Sequence, residues 1–492
     1  MEDRLSELPE SLLLEILSRL EMEDAVRTGA ISTKWRNLWK LADGIAVHYP
    51  FRKLYGRYLN FMTCEVVVRE FVSVVSRTLS QFTSRNIKRF SLVVDYVIDI
   101  DCQMFDELLE WAFLRNVEIL LLTFPMSVYS APEWFCHNSS LKKLDIEGPI
   151  DFKLLGSIVN WCSLKSLSLS LVEISDEDIA KVLSGCQVLE SLVLNQVSGI
   201  SKLNFGSSAV RKLRVVNHRN YDNEFFEVIA PWLEQLEISG PYRGSDIRLK
   251  DVSSLLKAGL TFECVDHFYG PFDVDVFIRR EAPILESLCA VEELAFGREL
   301  IQLLQVMSLL KLLGRQCPSF KCKHLTLHSR AFKHELPGIT YLLQSSPFLE
   351  TLVLEVEAPT TWEDNIAKYL IGVCEFDGAM YLSKQSFDYV QLKNIKISRN
   401  FYSCSHRDAW CNAPQFDFVL ATHITRYARF MEKVTITSPA IEKLNSNCSR
   451  NCVSEYFHQL FREYSQYFHC NDSAGVWKLS AKKWPFEIVC SK

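Results

Sequence analysis

The sequence lacks the short motifs that assign a catalytic or metal-binding function directly. It contains no GxSxG, P-loop or HExxH pattern. Its 16 cysteines form no CxxC pair, and the closest two, Cys448 and Cys452, are already too far apart. No apolar run approaches the roughly 20 residues that a membrane-spanning helix needs. The sequence therefore predicts no catalytic residue, no cofactor, no metal and no membrane partner.

The chain also lacks an excess of basic residues. Its 54 Lys and Arg are outnumbered by 60 Asp and Glu, which gives a formal net charge of −6. Nucleic-acid binders usually concentrate positive charge, so we expect no nucleic-acid partner. The first ten residues carry four acids and one Arg, the opposite of a secretory leader. We therefore expect a soluble intracellular protein, in the cytoplasm and/or nucleus, whose scattered thiols are small core residues.

What the sequence does contain is a repeat. A six-residue pattern recurs along most of the 492 residues. Its first, fourth and sixth positions are apolar, and the residues between them vary. Successive clear copies start 21 to 25 residues apart, inside the leucine-rich-repeat period. The clear copies begin at Leu141, Leu164, Leu189, Val210 and Leu233. Weaker copies, with spacings that lengthen after residue 257, begin at Ile87, Val117, Lys257, Val291, Cys322, Leu349, Leu392 and Met431.

The alternation inside each copy predicts a short strand with its apolar residues facing inward. A single strand cannot bury that face, but stacked repeats can, because each strand pairs with the next and intervening segments cover the core. Ser175 to Asp178 resembles a capping box and predicts a helix that ends near Gly185. The fold class predicted from these features is an α/β leucine-rich-repeat solenoid, or horseshoe.

The N-terminal segment has a different, helical periodicity. A first helix is predicted over Pro9–Leu20, because Pro suits a first helical position and an apolar stripe follows at Leu13, Ile16, Leu17 and Leu20. A second helix is predicted over Asp24–Thr28. Ser32 is expected to cap a third helix, whose shared face carries Trp35, Leu38 and Trp39. Such a small three-helix module needs an apolar partner.

These residues resemble the F-box, and specifically the plant F-box/leucine-rich-repeat proteins. The segment that carries the resemblance is Leu5 to Leu41, LSELPESLLLEILSRLEMEDAVRTGAISTKWRNLWKL. The region from Leu392 to Ile436, with LKNIKI before an aromatic stretch and MEKVTI after it, resembles an FBD-type tail. The resemblance implies an F-box at 1–45, a leucine-rich-repeat solenoid at 46–385, and an FBD-like region at 386–492 that continues the array.

The resemblance also implies partners. An F-box docks on a Skp-type adaptor, which links it to a cullin and a RING subunit in a ubiquitin ligase, while the repeats hold a protein substrate. The chain itself would be a non-catalytic subunit. Gly29 and Lys34 depart from the residues usual in the family. Carried over by position, the adaptor-binding candidates are Leu8, Pro9, Ile16, Leu17, Leu20 and Val26, with Trp35 and Leu38 either at that interface or supporting it.

The substrate candidates come from the residues between the apolar positions of each strand. These residues form two adjacent rows across the strands and are mostly small or polar. Gly259 belongs to one row and Thr261 to the other. Positive Lys212 and Arg214 beside negative Glu237 suggest a mixed-charge recognition surface for a protein segment. A solvated face with a local ion pair is the simpler interpretation of the same residues.

Two other functions remain open at this stage. The first is a leucine-rich-repeat protein-binding scaffold that is not part of a ubiquitin ligase. The second, more distant, is a metal-dependent transferase built on Asp273 and Asp275, although a lone DxD also fits a strand with one wet face. An irregularly spaced set of possible zinc ligands comprises Cys404, His406, Cys411, Cys448 and Cys452.

Overall fold

The computed structural model divides the chain into two compact units, residues 1–233 (unit 1) and 234–492 (unit 2). The structure describes residues 5–49, 64–94, 102–124, 128–151, 159–206, 208–218, 225–242, 246–264, 283–297, 318–329, 335–356, 391–399, 432–438, 468–473, 476–481 and 486–490, with the single positions 300, 301, 304, 384, 420 and 424.

The N-terminal module is helical, as predicted, but its helices differ in length and type. Helix α1 spans Glu10–Leu17 and helix α2 spans Met22–Arg27, followed by 3-10 turns at Thr28–Ala30 and Trp35–Leu41. The first helix therefore ends three residues before Leu20, and the third is a 3-10 helix. Ser32 was expected to cap it, but no side-chain cap bond is made there, and the Ser32 hydroxyl is instead 3.1 Å from that of Ser6.

Ser18, the residue that follows α1, contacts the start of the first strand. The Ser18 hydroxyl donates to the Asp43 carboxylate at 2.9 Å and accepts from the Gly44 N–H at 3.2 Å. A side chain at position 44 would lie only 2.5 Å from the Ser18 carbonyl oxygen, so glycine is needed for this approach. The end of α1 is thus tied to the start of the first strand.

Helices of the described residues in the repeat region include α3 (Cys64–Leu79), α4 (Asp106–Phe113), α5 (Asp176–Gly185) and α6 (Leu336–Gln344). Short 3-10 turns lie at Cys102–Phe105 and Glu133–Cys136. The predicted cap of α5 is confirmed, because Ser175 Oγ accepts a hydrogen bond from the Asp178 N–H at 3.2 Å. The helix also ends at Gly185 as expected.

Unit 1 is built on a parallel sheet in which each strand pairs with the next repeat. Its strands are β1 (Gly44–Tyr49), β2 (Arg89–Val94), β3 (Ile119–Thr123), β5 (Lys143–Glu147), β7 (Ser166–Ser170), β8 (Ser191–Asn195) and β10 (Lys212–Val216). Short strands β4 (Tyr129–Ser130) and β6 (Ile150–Asp151) pair with each other, as do β9 (Lys202–Asn204) and β11 (Phe225–Ile229).

Unit 2 repeats the same parallel arrangement and ends in a hairpin. Its parallel strands are β12 (Gln235–Tyr242), β14 (Lys257–Cys264), β15 (Glu293–Phe296), β16 (His324–Ser329), β17 (Thr351–Val356), β18 (Asn394–Arg399), β19 (Lys433–Ser438) and β22 (Phe486–Cys490). Antiparallel β20 (Phe468–Ser473) and β21 (Val476–Ala481) continue from β22, and β13 (Asp246–Lys250) completes the strands.

The predicted inward face of the repeats is confirmed. Leu144, Leu167 and Leu192 lie opposite one another in successive strands and are all buried. The same register holds in unit 2, where Leu325 lies opposite Leu294 and Leu352. An α/β repeat array with a large parallel sheet, preceded by a helical module, is therefore the fold.

One predicted copy is wrong in register. The copy assigned to Lys257 placed Leu260 and Phe262 on the inward positions, but Leu236 pairs with Ala258 and Ile238 pairs with Leu260. The repeat therefore begins at Leu255. Because side chains alternate with a period of two, a two-residue shift keeps the same face inward, and the small apolar Ala258 was passed over in favour of a larger residue.

The array also contains strands at both ends that were not predicted from sequence. Strand β1 follows the N-terminal module after only Ala42 and Asp43, and its Ile45 and Val47 lie opposite Phe90 and Leu92. These residues fit the repeat pattern, so the array begins one repeat earlier than predicted. At the other end, Phe486 and Ile488 of β22 lie opposite Val434 and Ile436 and continue the apolar positions of the repeat, whereas β20 and β21 are antiparallel.

The thiols described by the structure are free, and most are buried as predicted. Cys136, Cys186 and Cys322 are buried, Cys289 is half-buried and Cys162 is exposed. Burial raises the pKa of Cys136 to about 11 and that of Cys186 to about 12, which holds both as unreactive thiols. Among the described helices, none combines the length and the apolar character that a membrane crossing requires.

Gly148 provides a test of repeat spacing. It has φ +125°, and a Cβ there would lie 2.0 Å from the Phe124 carbonyl oxygen. We expect Gly148→Ala to lower the free energy of unfolding by at least about 1–3 kcal/mol, seen as a lower Tm by circular dichroism. Gly29→Ala is the control, because its Cβ would meet nothing closer than 3.4 Å. Equal Tm values for the two variants would contradict this packing.

His218 provides a pH test. It is buried, its ring centroid lies 4.4 Å from that of Phe226, and burial lowers its pKa from 6.5 to about 4. Between these values the unfolded chain binds a proton that the folded chain does not, so stability falls as pH falls from 6.5 toward 4. We expect the Tm difference between wild type and His218→Leu to change over this interval and to be constant above it. A difference that is constant throughout would contradict the burial.

Candidate adaptor-docking surface and repeat face

The N-terminal module exposes several large apolar side chains. Leu12 and Ile16 lie one turn apart on α1, with 50% and 36% of their surface exposed. Leu5 and Ile31, outside the helix, are more than half exposed, and Pro9 is exposed at the helix start. We call Leu5, Pro9, Leu12, Ile16 and Ile31 the outer apolar set. Exposed apolar residues concentrated in one small module are typical of a protein-docking site.

Helix α1 has apolar residues on two of its sides, one buried and one exposed. Leu13 and Leu17, spaced by four residues, are 0% and 1% exposed and pack into the module. Leu12 and Ile16 share the same spacing but are rotated by one residue, about 100°, toward solvent. A helix that is apolar on a second side needs a second partner to bury it.

The structure divides the predicted adaptor-binding residues into three groups. Pro9 and Ile16 are exposed, and Leu8, Leu20 and Val26 are half-buried. Leu17, Trp35 and Leu38 are buried. Trp35 and Leu38, predicted to lie either at the adaptor interface or in support of it, pack inside the module. Leu17, which was expected to face the adaptor, is likewise buried in the module and is 1% exposed.

Three members of the outer apolar set were not predicted. Leu5, Leu12 and Ile31 are as exposed as Ile16 or more so. Apolar residues occur on two sides of α1, and the sequence alone does not show which side faces the module. Only the packing of Leu13 and Leu17 identifies Leu12 and Ile16 as the outer pair.

The segment that carries Leu5 and Leu8 is held on the module by hydrogen bonds. The Lys34 ammonium group donates to the carbonyl oxygens of Ser6 and Leu8 at 2.6 and 3.0 Å. Trp35 Nε1 donates to the Ser6 hydroxyl at 2.9 Å. Residues 34 and 35, at the start of the second 3-10 turn, thus fix the chain that leads into α1.

An aromatic stack joins the module to the first repeats of unit 1. The Trp39 ring lies edge-on to Phe82 at 5.3 Å, and Phe82 lies edge-on to Trp111 at 6.0 Å. The Arg115 guanidinium lies 4.0 Å from the Trp111 ring centroid, a cation–π distance. The Thr83 N–H donates to the Lys40 carbonyl at 2.9 Å. The module is therefore packed directly on the repeats.

The charges of the module lie on its exposed surface. Arg19 pairs with Glu15 at 2.8 Å, and Arg27 pairs with Asp24 at 3.2 Å and with Glu23. All of these side chains are more than half exposed, so each pair contributes at most about 1 kcal/mol to stability.

The predicted substrate residues lie in different units. Lys212 and Arg214 are exposed on β10 of unit 1, on the strand face opposite buried Leu213 and Val215. Glu237 is half-exposed on β12 of unit 2. The corrected register moves Gly259 into the row of Glu237 and Ala295 and moves Thr261 out of it. A Cβ added at Gly259 would lie 3.8 Å from Glu237 Cγ and 3.9 Å from Ala295 Cβ.

Ion pairs join neighbouring repeats just before the strands. They connect side chains that occupy the second position of the pattern in adjacent copies. The pairs are Lys142–Glu118 at 2.8 Å and Lys165–Glu190 at 2.9 Å in unit 1, and Lys323–Glu292 at 3.0 Å and Lys393–Glu350 at 3.1 Å in unit 2. The hydrogen bond from Lys393 lowers the pKa of Glu350.

Within the described residues, no group of three or more His, Cys, Asp or Glu side chains could hold a metal ion. Asp273 and Asp275 lie outside the described residues, as do Cys404, His406, Cys411, Cys448 and Cys452.

Comparison with known proteins agrees with this two-part arrangement. A family model described as "F-box domain" matches residues 5–43. A second, described as "FBD-associated F-box protein At5g56370, LRR repeats", matches residues 105–260. The chain thus combines a module that in general binds a Skp-type adaptor with a leucine-rich-repeat domain, which together suggest a substrate-adaptor role.

Relatives in Arabidopsis thaliana identify the family. The putative F-box/LRR-repeat protein At5g02930 is 29% identical over 73% of this chain and 74% of its own. The putative F-box protein At1g49610 is 30% identical over 72% of this chain and 84% of its own. The putative F-box/LRR-repeat protein At3g18150 is 30% identical over 72% of each. The chain belongs to the F-box/LRR-repeat proteins of plants.

Trp39 provides a test of the joint between the module and the repeats. We expect Trp39→Ala to lower the free energy of unfolding of the full chain by about 3–5 kcal/mol, because it removes a buried ring and its contact with Phe82. Trp39→Phe keeps a ring and loses the bond from Nε1 to the Arg36 carbonyl, at a cost of about 1 kcal/mol. Urea unfolding followed by circular dichroism measures both, and equal midpoints would contradict the stack.

Proposed function

We propose that this protein is the substrate-recognition subunit of a Skp–cullin–F-box ubiquitin ligase. In this proposal the F-box docks on a Skp-type adaptor, the adaptor links the chain to a cullin and a RING subunit, and the repeats bind a protein substrate. The chain makes and breaks no bond itself. It raises the effective concentration of a substrate lysine beside the ubiquitin-conjugating enzyme held by the same complex.

The outer apolar set is the observation that carries the proposal. A small module that already buries Leu13, Leu17 and Trp35 has no structural need for a second apolar side on α1. Burial of the exposed parts of Leu5, Leu12, Ile16 and Ile31 against an adaptor would supply a favourable hydrophobic contribution to binding. We propose Pro9, Leu8, Leu20 and Val26 as further contacts around this set.

The direct packing of the module on the repeats supports the second half of the proposal. A receptor must hold its substrate at a defined distance from the adaptor, and the ring contacts of Trp39 with Phe82 and of Phe82 with Trp111 attach the module directly to the first repeats of unit 1. We propose the division into 1–45, 46–385 and 386–492, with the last region FBD-like. Lys212, Arg214 and Glu237 remain our proposed substrate contacts, each within its own unit.

The alternative is a protein-binding scaffold outside any ubiquitin ligase. The same repeats would bind a partner, and the outer apolar set would bind a protein other than a Skp-type adaptor. Adaptor binding by the purified full-length chain separates the two functions.

We expect Leu12→Glu to weaken binding to a plant Skp-type adaptor by at least about tenfold, because it places a charge inside an apolar contact. Glu is a good helix former, and position 12 lies in the first turn of α1, so the helix is retained. Isothermal titration calorimetry on the full chain measures the affinity, and circular dichroism checks the fold.

Leu256→Glu is the matched control. Leu256 is 49% exposed, against 50% for Leu12, and lies in unit 2. It should bind the adaptor as wild type does. A folded wild type that does not bind the adaptor would reject the ligase proposal in favour of the scaffold, whereas equal weakening by both variants would reject the outer apolar set as the contact.

A further inference from the structure

Lys34 stands out in the module because its side chain makes a specific set of long-range contacts. Its side chain crosses to a segment 26 to 28 residues earlier in the chain and donates to two backbone carbonyl groups, those of Ser6 and Leu8. The neighbouring Trp35 adds its Nε1 bond to the Ser6 hydroxyl, which is also 3.1 Å from the Ser32 hydroxyl. We call the bonds of Lys34 and Trp35 to residues 6 and 8 the N-terminal latch.

The latch acts on a segment that lies outside the helices. Residues 5–8 precede α1, and the Leu8 N–H donates to the Leu5 carbonyl at 3.2 Å within them. Leu5 is more than half exposed, so burial does not hold it either. Without other constraints, a terminal segment of this kind samples many conformations.

The same segment carries part of the outer apolar set. Leu5 lies within it, Leu8 ends it and Pro9 follows directly. Each residue that has to be ordered on binding costs conformational entropy, so a segment fixed before binding gives a tighter complex than a free one.

We propose that Lys34 is a positioning residue for adaptor binding, which acts by holding residues 5–8 in place and makes no contact with the adaptor itself. The inference rests on the proposed function, because the binding whose affinity it raises is that of the Skp-type adaptor. Trp35 takes a second part in the same latch from inside the module, where it is 2% exposed.

A direct electrostatic attraction between Lys34 and the adaptor is the competing explanation for any effect of its removal. The two differ in what happens to the free protein. Attraction leaves residues 5–8 unchanged before binding, whereas loss of the latch makes their amide groups exchange faster with solvent.

The test compares Lys34→Met, Lys34→Arg and Lys40→Met in the full-length chain. Met retains much of the length of Lys without a donor, Arg retains donors and charge, and Lys40→Met removes the same charge elsewhere in the module. Two quantities are measured: the affinity for a plant Skp-type adaptor, and hydrogen–deuterium exchange of the N-terminal peptide in the free protein.

We expect Lys34→Met to weaken adaptor binding by about fivefold and to accelerate exchange of residues 5–8, as follows from the loss of two charge-assisted hydrogen bonds at an exposed site. Lys34→Arg should restore both quantities, and Lys40→Met should change neither. As a second variant, Ser6→Ala should accelerate the same exchange from the other side of the latch.

The outcomes are distinguishable. Adaptor binding by wild type with equal affinity for Lys34→Met would overturn the inference and leave the proposed function standing. Weaker binding with unchanged exchange, or equal weakening by Lys40→Met, would also overturn it in favour of electrostatic attraction. A folded wild type that does not bind the adaptor would overturn both the proposed function and this inference.

Discussion

The architecture depends on the pairing of parallel strands from successive repeats in one register. A five-residue strand such as β5 or β7 has two inward apolar side chains and cannot form a core alone. When Leu144 lies opposite Leu167 and Leu167 opposite Leu192, these side chains form a continuous apolar row that the sheet covers on one side. The ion pairs before the strands and the close approach at Gly148 both fit the spacing between these paired strands.

Because the strand period is two and the repeat length is nearly constant in the first part of the array, most of the fold could be predicted from sequence. The wrong register at Lys257 has the same physical origin as the correct registers elsewhere, namely the two-residue period of a strand. A shift of two residues preserves the inward face, so the pattern does not distinguish Ala258 and Leu260 from Leu260 and Phe262, and only pairing with Leu236 and Ile238 settles it. Strand β1 was missed although it fits the pattern, since its residues adjoin a segment interpreted as purely helical.

The candidate docking surface was harder to predict, because burial and binding select the same residue types. Leu12, Leu13, Ile16 and Leu17 are all apolar and consecutive in pairs, and the sequence gives no sign of which pair faces the protein. Leu17 was assigned outward and lies inside, while Leu12 was not assigned and lies outside. Long-range contacts such as Lys34 to Ser6 and Ser18 to Asp43 leave no pattern in sequence at all, because each joins residues more than 20 positions apart through a single side chain.

The short connection between the second 3-10 turn and β1 has a mechanical consequence. Only Ala42 and Asp43 separate the helical module from the first strand. The hydrogen bonds of Ser18 to Asp43 and Gly44 restrict the conformation of this connection further. A rotation of the module is thus transmitted directly to the backbone of β1, because no flexible connection lies between them. The orientation of β1 and β2 then follows that of the module, so a partner that holds the module also fixes the direction of these strands.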